Sequence, residues 1–342
     1  MRKWGFKKKF CIYTSVFLAL FMLVFGCLFA VVENFLENKN KITFYVPDGA
    51  PALACAKLLS EDKKDDGIEY SVVSSKGIES HVTSWFDSRN ADFCVLPLTD
   101  ASLLLGDKDN YQALGVLTHG NFFLISESAE TTYTTENLSA LIGKKIGFVQ
   151  LGKLPGLIFR SILQEVGVEY AICSDLSSCK EDVVNLINIQ PTSAVKGAGY
   201  DLFVMPEPAV SAKIEKAGFY EVGNMQTLYG GEGYAQAVLV AKRSIIEGKA
   251  DLVESILAKL RANNQFVQAN TATDILSSIE SHLKKGLTPA FSKENLTAQT
   301  IARCGVYFTE GEEAKREINA TIERIQRVDE ESVKPFKDDF FR

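Results

Sequence analysis

From residue 41 onward, short apolar runs alternate with longer stretches of helical spacing, and the breaks between them hold glycine and proline. The run 42–46 reads as a strand and ends at Pro47, Asp48, Gly49, Ala50 and Pro51. Helical composition follows at 52–59, a second strand at 69–73 and a helix at 78–88. A third strand at 92–96 then enters Pro97, Leu98 and Thr99, where another helix starts. Alternation of this kind predicts an α/β chain with a mainly parallel sheet and helices on both faces.

Residues 111–126 carry two apolar segments separated by Thr118, His119, Gly120 and Asn121, and a second α/β pattern then begins. The strand 145–149 enters Gln150, Leu151, Gly152, Lys153, Leu154, Pro155 and Gly156, and 157–166 has the apolar spacing of a helix closed by Gly167. The strand 200–205 ends at Pro206, Glu207 and Pro208, a helix follows at 209–217, and 236–242 returns as a strand. The remainder to residue 327 is mostly helical, and the apolar spacing of 252–266 predicts packing on the first half. No short repeat or low-complexity linker separates the halves. The economical arrangement is one lobe of 41–125 plus 236–342, a second of 126–235, and two chain crossings. Such crossings make a hinge, and the cleft between lobes is where a ligand is held.

The first 32 residues depart from this pattern. Arg2, Lys3, Lys7, Lys8 and Lys9 precede an uncharged, largely apolar run from Ile12 to Val32. About 20 apolar residues cover a hydrocarbon core of ~30 Å, and the basic flank stays in the cytoplasm. The run reads as an uncleaved anchor, as a lipoprotein signal in which Cys27 is acylated, or as a cleaved signal peptide. Phe25 is bulky for a lipobox and 28–32 stays apolar, so the anchor is preferred. All three readings export residues 33 onward, so the expected location is the cell membrane with the folded part on its extracytoplasmic face.

Beyond those five basic residues, 32 basic face 43 acidic residues, a balance that argues against nucleic acid and anionic lipid as partners. Seven cysteines include Cys11 and Cys27 in the apolar run. Cys55 and Cys94 sit in apolar stretches and read as buried small hydrophobes. Cys173 and Cys179 flank a polar loop, where an oxidising exterior would allow a bridge if geometry permits.

Residues 143–148 (GKKIGF) before a Gly/Pro helix start, the run Asp201 to Pro208, and 92–97 (DFCVLP) resemble type 2 periplasmic binding proteins. The branch they are most similar to is the nitrate, sulfonate, taurine and thiamine-precursor group, called NMT1- or SsuA-like. The resemblance runs in order over about 41–330. It implies a two-lobed clamshell, each lobe a mainly parallel sheet flanked by helices, after one N-terminal membrane segment. It also implies a monomer that delivers a small solute to the permease and ATPase of an ABC importer, without a cofactor and without chemistry on the solute.

Helix starts present unpaired N–H groups and suit anionic or oxygen-rich ligands. Three loops qualify: Asp48, Gly49 and Ala50; Pro97, Leu98 and Thr99; and Gly152, Lys153, Leu154 and Pro155. Asp48 would repel an anion and welcome a cation or zwitterion. His119 is placed to reach the cleft or to serve as a satisfied structural group, and Glu207 to accept a ligand amine or to cap the next helix. Tyr229, beside Gly230, Gly231 and Gly233, is a candidate stacking wall at the second crossing. Two other functions fit the pattern less well. A sensor or interaction protein on the same clamshell would need a partner for output. A thiamine-pyrimidine type enzyme would need a cysteine-rich motif, which is absent, as are GxSxG, HExxH, Walker and zinc-spaced motifs.

Overall fold

The computed structural model describes residues 41–61, 67–84, 89–231 and 233–342. The expected membrane segment within 1–35, with Cys27, lies outside them; among the described residues no helix is long and apolar enough to cross a membrane. Thr43–Lys63 with Tyr70–Arg342 form one compact unit. Of the other, Met1–Ile42 with Lys64–Glu69, the described part is the beginning of two strands, joined where Ile42 N donates to Gly67 O at 2.9 Å.

In chain order the first elements are β1 (Ile42–Pro47), α1 (Ala50–Ala54), α2 (Ala56–Ser60), β2 (Ile68–Val73), β3 (Phe93–Pro97), α3 (Leu98–Leu105) and β4 (Tyr111–Thr118). They are followed by β5 (Phe122–Ser126), β6 (Lys145–Val149), α4 (Leu154–Glu165), β7 (Tyr170–Cys173), β8 (Val184–Ile189), β9 (Leu202–Pro206) and α5 (Ala209–Ala217). The chain continues through β10 (Tyr220–Asn224), α6 (Met225–Tyr229), β11 (Ala237–Lys242), α7 (Arg243–Gly248), α8 (Ala250–Arg261) and α9 (Asn263–Ala269). It closes with α10 (Ala272–Glu280), α11 (Ala298–Arg303) and α12 (Gly311–Gln326).

The strands form two sheets, in the orders β2-β1-β3-β11-β4 and β10-β5-β9-β6-β8-β7. Both are mixed rather than mainly parallel, and the crossings explain why. β11 enters at the carboxyl ends of β3 and β4, where Ala237 lies opposite both Pro97 and Thr118, so it must run against them. β5 likewise starts opposite Pro206 at the carboxyl end of β9 and runs antiparallel to it. The pairs β1 with β3, β6 with β9, β6 with β8, and β7 with β8 remain parallel. Because β5 sits in the second sheet, the chain leaves the first sheet at 119–121, not at 125.

Strands covered on both faces read as unbroken apolar runs. Phe93, Val95, Leu96, Val116, Leu124, Phe148, Val204 and Val238 are buried. Inside the first sheet the buried Lys242 gives its Nζ to Asn90 O at 2.7 Å and Asp92 Oδ1 at 3.0 Å, while Asp92 Oδ2 accepts from Thr43 N at 3.0 Å. One charge pair thereby ties β1, β3 and β11 together. The helices α8, α9 and α10 pack on α2, as the apolar spacing of 252–266 predicts.

Two expectations give way to local physics, and three strands have no legible pattern in the sequence. Only a short 3-10 turn, Ile78–His81, is described where a helix over 78–88 was predicted; it suffices to bury Ile78 and Val82, and residues 85–88 lie outside the description. The strands β7, β8 and β10 carry no clean alternation. β7 is an edge strand with Ile172 exposed, and β8 buries the polar Asn185, whose amide donates to Lys180 O at 2.8 Å and Val183 O at 3.1 Å. Cys173 and Cys179 are free thiols; Cys173 Sγ donates to Asn185 Oδ1 at 3.5 Å, and burial followed by the neighbouring Cys173 thiol raises Cys179.

The final helix departs furthest from the lobe division. Ala314, Ile318, Ile322 and Ile325 give α12 one buried stripe, which packs on β4 of the first sheet and on α4 of the second. At the crossings Gly233 has φ +124°, and a Cβ there would stand 2.0 Å from His119 O. Gly233→Ala is therefore expected to destabilise the protein by roughly 2–4 kcal/mol, through both strain and overlap, and equilibrium urea unfolding measures it.

Candidate functional site

The crossing from Thr118 to Phe122 is four residues, at most roughly 14 Å of extended chain, so the strand ends it joins are close neighbours. β3 and β4 end on that side of the first sheet, and β9 ends there in the second. β6 is parallel to β9 with Phe148 opposite Val204, so its end faces the same way. The helix-start loops 97–99 and 150–155 issue from these ends, the position where open α/β sheets hold ligands.

Neither α3 nor α4 has a side-chain cap. At α3, Leu98 N donates to Gln236 O at 2.9 Å, and Leu98 and Thr99 are buried, so the first exposed chemistry of this start is the half-buried Asp100. At α4 the loop is tightly built. Gln150 takes φ 64°, Leu151 N donates to Asn188 Oδ1 at 3.1 Å, and a Cβ on Gly156 would lie 1.9 Å from Leu151 O. Gly152 and Lys153 remain exposed at the loop's outer edge, while Leu154 and Pro155 turn into the core. Burial raises the Asp100 carboxyl, Lys153 pulls it back and Glu79 pushes it up. The charge of Lys153, at the start of α4, thus favours the ionised form of Asp100 on α3.

In the loop 48–50 both carboxylate oxygens of Asp48 are engaged within the chain. Asp48 accepts from Gly49 N at 2.8 Å through Oδ1 and from Ala290 N at 2.7 Å through Oδ2, so its carboxylate fixes a turn and a distant segment. A Cβ on Gly49 would touch Ala290, and Ala50 is buried in a helix of only five residues. Glu207 caps rather than waits for an amine. Its oxygens accept from Ser211 N at 3.2 Å and Ser211 Oγ at 3.0 Å in the first turn of α5, and Arg303 Nε also binds it.

His119 is 1% exposed, with its ring stacked on Tyr307 at 3.7 Å and Nε2 3.1 Å from Glu317 Oε2. Tyr229 packs against α12. Its ring lies under the Arg324 guanidinium at 4.0 Å and its hydroxyl is 3.2 Å from Thr321 Oγ1, which fastens α12 to α6.

Arg303, at the end of α11, has no counterpart in the sequence reading. Its guanidinium covers Phe123 at 3.9 Å and binds both Glu207 and Glu221. It also lines a cavity of about 670 Å³ beside Gly120, Phe123 and the start of α6. A lone arginine in a helical tail carries no local signal; only its position beside Cys304 and Gly305 sets it apart.

Burial alone would raise the Glu317 carboxyl, but hydrogen bonds from His119 and Thr309 outweigh it and hold the group below the usual range. A depressed carboxyl stabilises the fold above its unfolded value near 4.5, and that contribution disappears as pH falls through the folded value. Glu317→Gln is therefore expected to flatten the acid loss of stability below about pH 4.5 relative to the parent chain, measured by urea unfolding at stepped pH.

No family model matches the sequence, and no curated protein matches it. Solved structures do. An ABC transporter structure from Parabacteroides distasonis is 18% identical with TM-score 0.66, covering 89% of this chain and 99% of that one. The periplasmic aliphatic sulphonate binding protein SsuA from Escherichia coli is 13% identical with TM-score 0.61, covering 88% and 90%. The alkanesulfonate-binding protein SsuA from Xanthomonas axonopodis pv. citri, bound to MOPS, is 14% identical with TM-score 0.56, covering 86% and 96%. The two-sheet chain with its double crossing has the fold of the periplasmic solute-binding proteins of ABC transporters.

Proposed function

We propose that this chain captures a small polar solute between its two sheets and hands it to the permease and ATPase of an ABC importer. The observation that supports this reading is that two helix starts without side-chain caps, α3 with Asp100 and α4 with Lys153, follow strands of different sheets whose carboxyl ends the first crossing brings close. A solute between them meets N–H groups and an ammonium on one side and carboxyls on the other. That arrangement suits a zwitterion or a mixed donor and acceptor better than a simple anion. The two SsuA proteins of the same fold are sulfonate-binding, and taurine-like solutes combine a sulfonate with an amine. The run Ile12 to Val32 holds the folded part at the extracytoplasmic face.

A thermal-shift screen of amino acids, taurine, alkanesulfonates, nitrate, polyamines and pyrimidines on the full chain in detergent tests the proposal. A true solute at 100 times its Kd adds ~2.7 kcal/mol of stability. Lys153→Glu should weaken that solute at least tenfold by calorimetry, while the ligand-free protein melts as before because Lys153 is exposed. A screen without any stabilising solute, or turnover of the solute found, overturns the reading. Deleting residues 1–32 should move the protein from the membrane pellet to the supernatant after fractionation.

A further inference from the structure

The cavity of about 670 Å³ beside the first crossing takes none of its walls from the loops 48–50, 97–99 or 150–155. One side is α9 with residues 296–307; the other is Gly120, Phe123, the end of β10 and α6. We propose that this cavity is a second binding site, for an uncharged, oxygen-rich small molecule of the sugar or polyol class.

Charge selects against anions. Among the described residues of the lining, Arg303 alone is charged, and its guanidinium is held by Glu207 and Glu221. Two carboxylates against one cation leave the neighbourhood negative, so a sulfonate or phosphate entering it would be repelled. Arg303 Nε donates to Glu207 and its Nη1 to Glu221, so the charge of this arginine is already paired.

The rest of the wall fits the same chemistry. Asn224, Gln226, Thr227, Asn264, Gln268 and Asn270 supply neutral amides and a hydroxyl. Gln226 Oε1 already accepts from Phe122 N at 3.2 Å, which leaves its NH₂ as a donor, and Asn270 Nδ2 donates to Phe266 O at 2.8 Å, which leaves its oxygen as an acceptor. Val267, Leu296, Ile301 and Val306 give apolar surface for the C–H face of a ring. The volume lies in the range of small-molecule sites, roughly 300–1,000 Å³.

The test is calorimetry and thermal shift on the full chain in detergent with glucose, maltose and myo-inositol as probes, each against gluconate and glucose 6-phosphate. At least one neutral probe is expected to bind saturably, and the anions at least tenfold more weakly. Ala302→Phe fills the cavity from an exposed position and should abolish that binding with the melting temperature unchanged. Lys153→Glu should leave the neutral probe bound as before, which separates this site from the proposed cleft. No binding by any neutral probe, a preference for the anions, or binding that survives Ala302→Phe overturns the second site. None of these results touches the solute-binding proposal, whose own failure would leave the neutral probe's behaviour in these variants unchanged.

Discussion

The two chain crossings and their mutual hydrogen bonds are the constraint on which everything else rests. Gln236 N donates to Thr118 O at 2.9 Å, Gln236 Nε2 to Asn121 Oδ1 at 3.3 Å, and His119 N to Gly305 O at 3.0 Å. These bonds bring the carboxyl ends of both sheets to one place and force the strands that begin there to run backwards. The antiparallel β5 and β11 and the nearness of the α3 and α4 starts to the crossing are consequences of that one junction. His119 sits inside it, fixed between Tyr307, Glu317 and the backbone of Gly305 and Tyr234. Its burial and these partners tie it to the junction.

Around this junction two surfaces of different electrostatic character have formed. At the α3 start the half-buried Asp100 feels Lys153, which favours its ionised form, and Glu79, which opposes it. The cavity under α11 instead neutralises its only described cation with two carboxylates and surrounds it with amides. Taking a charge out of water is costly unless it is paired, and the Arg303 pairs occupy the site where the second sheet's Glu207 is fully buried. The carboxylate that satisfies the first turn of α5 also sets the charge of the cavity wall.

Much of the fold is legible in the chain. The strands β1, β3, β6, β9 and β11 are compact, largely apolar runs, of which β1, β3 and β9 end at Pro, and α5 falls on the predicted residues 209–217. Gly167 closes α4 with φ 70° and its N–H on Gln164 O at 3.1 Å. What was illegible has a physical reason in each case. β8 hides because its buried Asn185 looks like a loop residue until its partners at Lys180 and Val183 are known. Asp48 reads as a ligand carboxylate because Ala290, which occupies it, lies 242 residues away.

The sequence alone determined the alternation of strands and helices, the loops that end several of the strands, and an acidic balance that argues against nucleic-acid partners, because these follow from local hydrophobic period, turn chemistry and charge. Tertiary structure decided which helix starts stay open, since that depends on where segments far along the chain fold back. It placed Arg303 between two glutamates from the other sheet, and it laid α12 across both sheets through β4 and α4. Contacts of that separation leave no periodic trace in a single chain; only the packed fold brings their partners within hydrogen-bond reach.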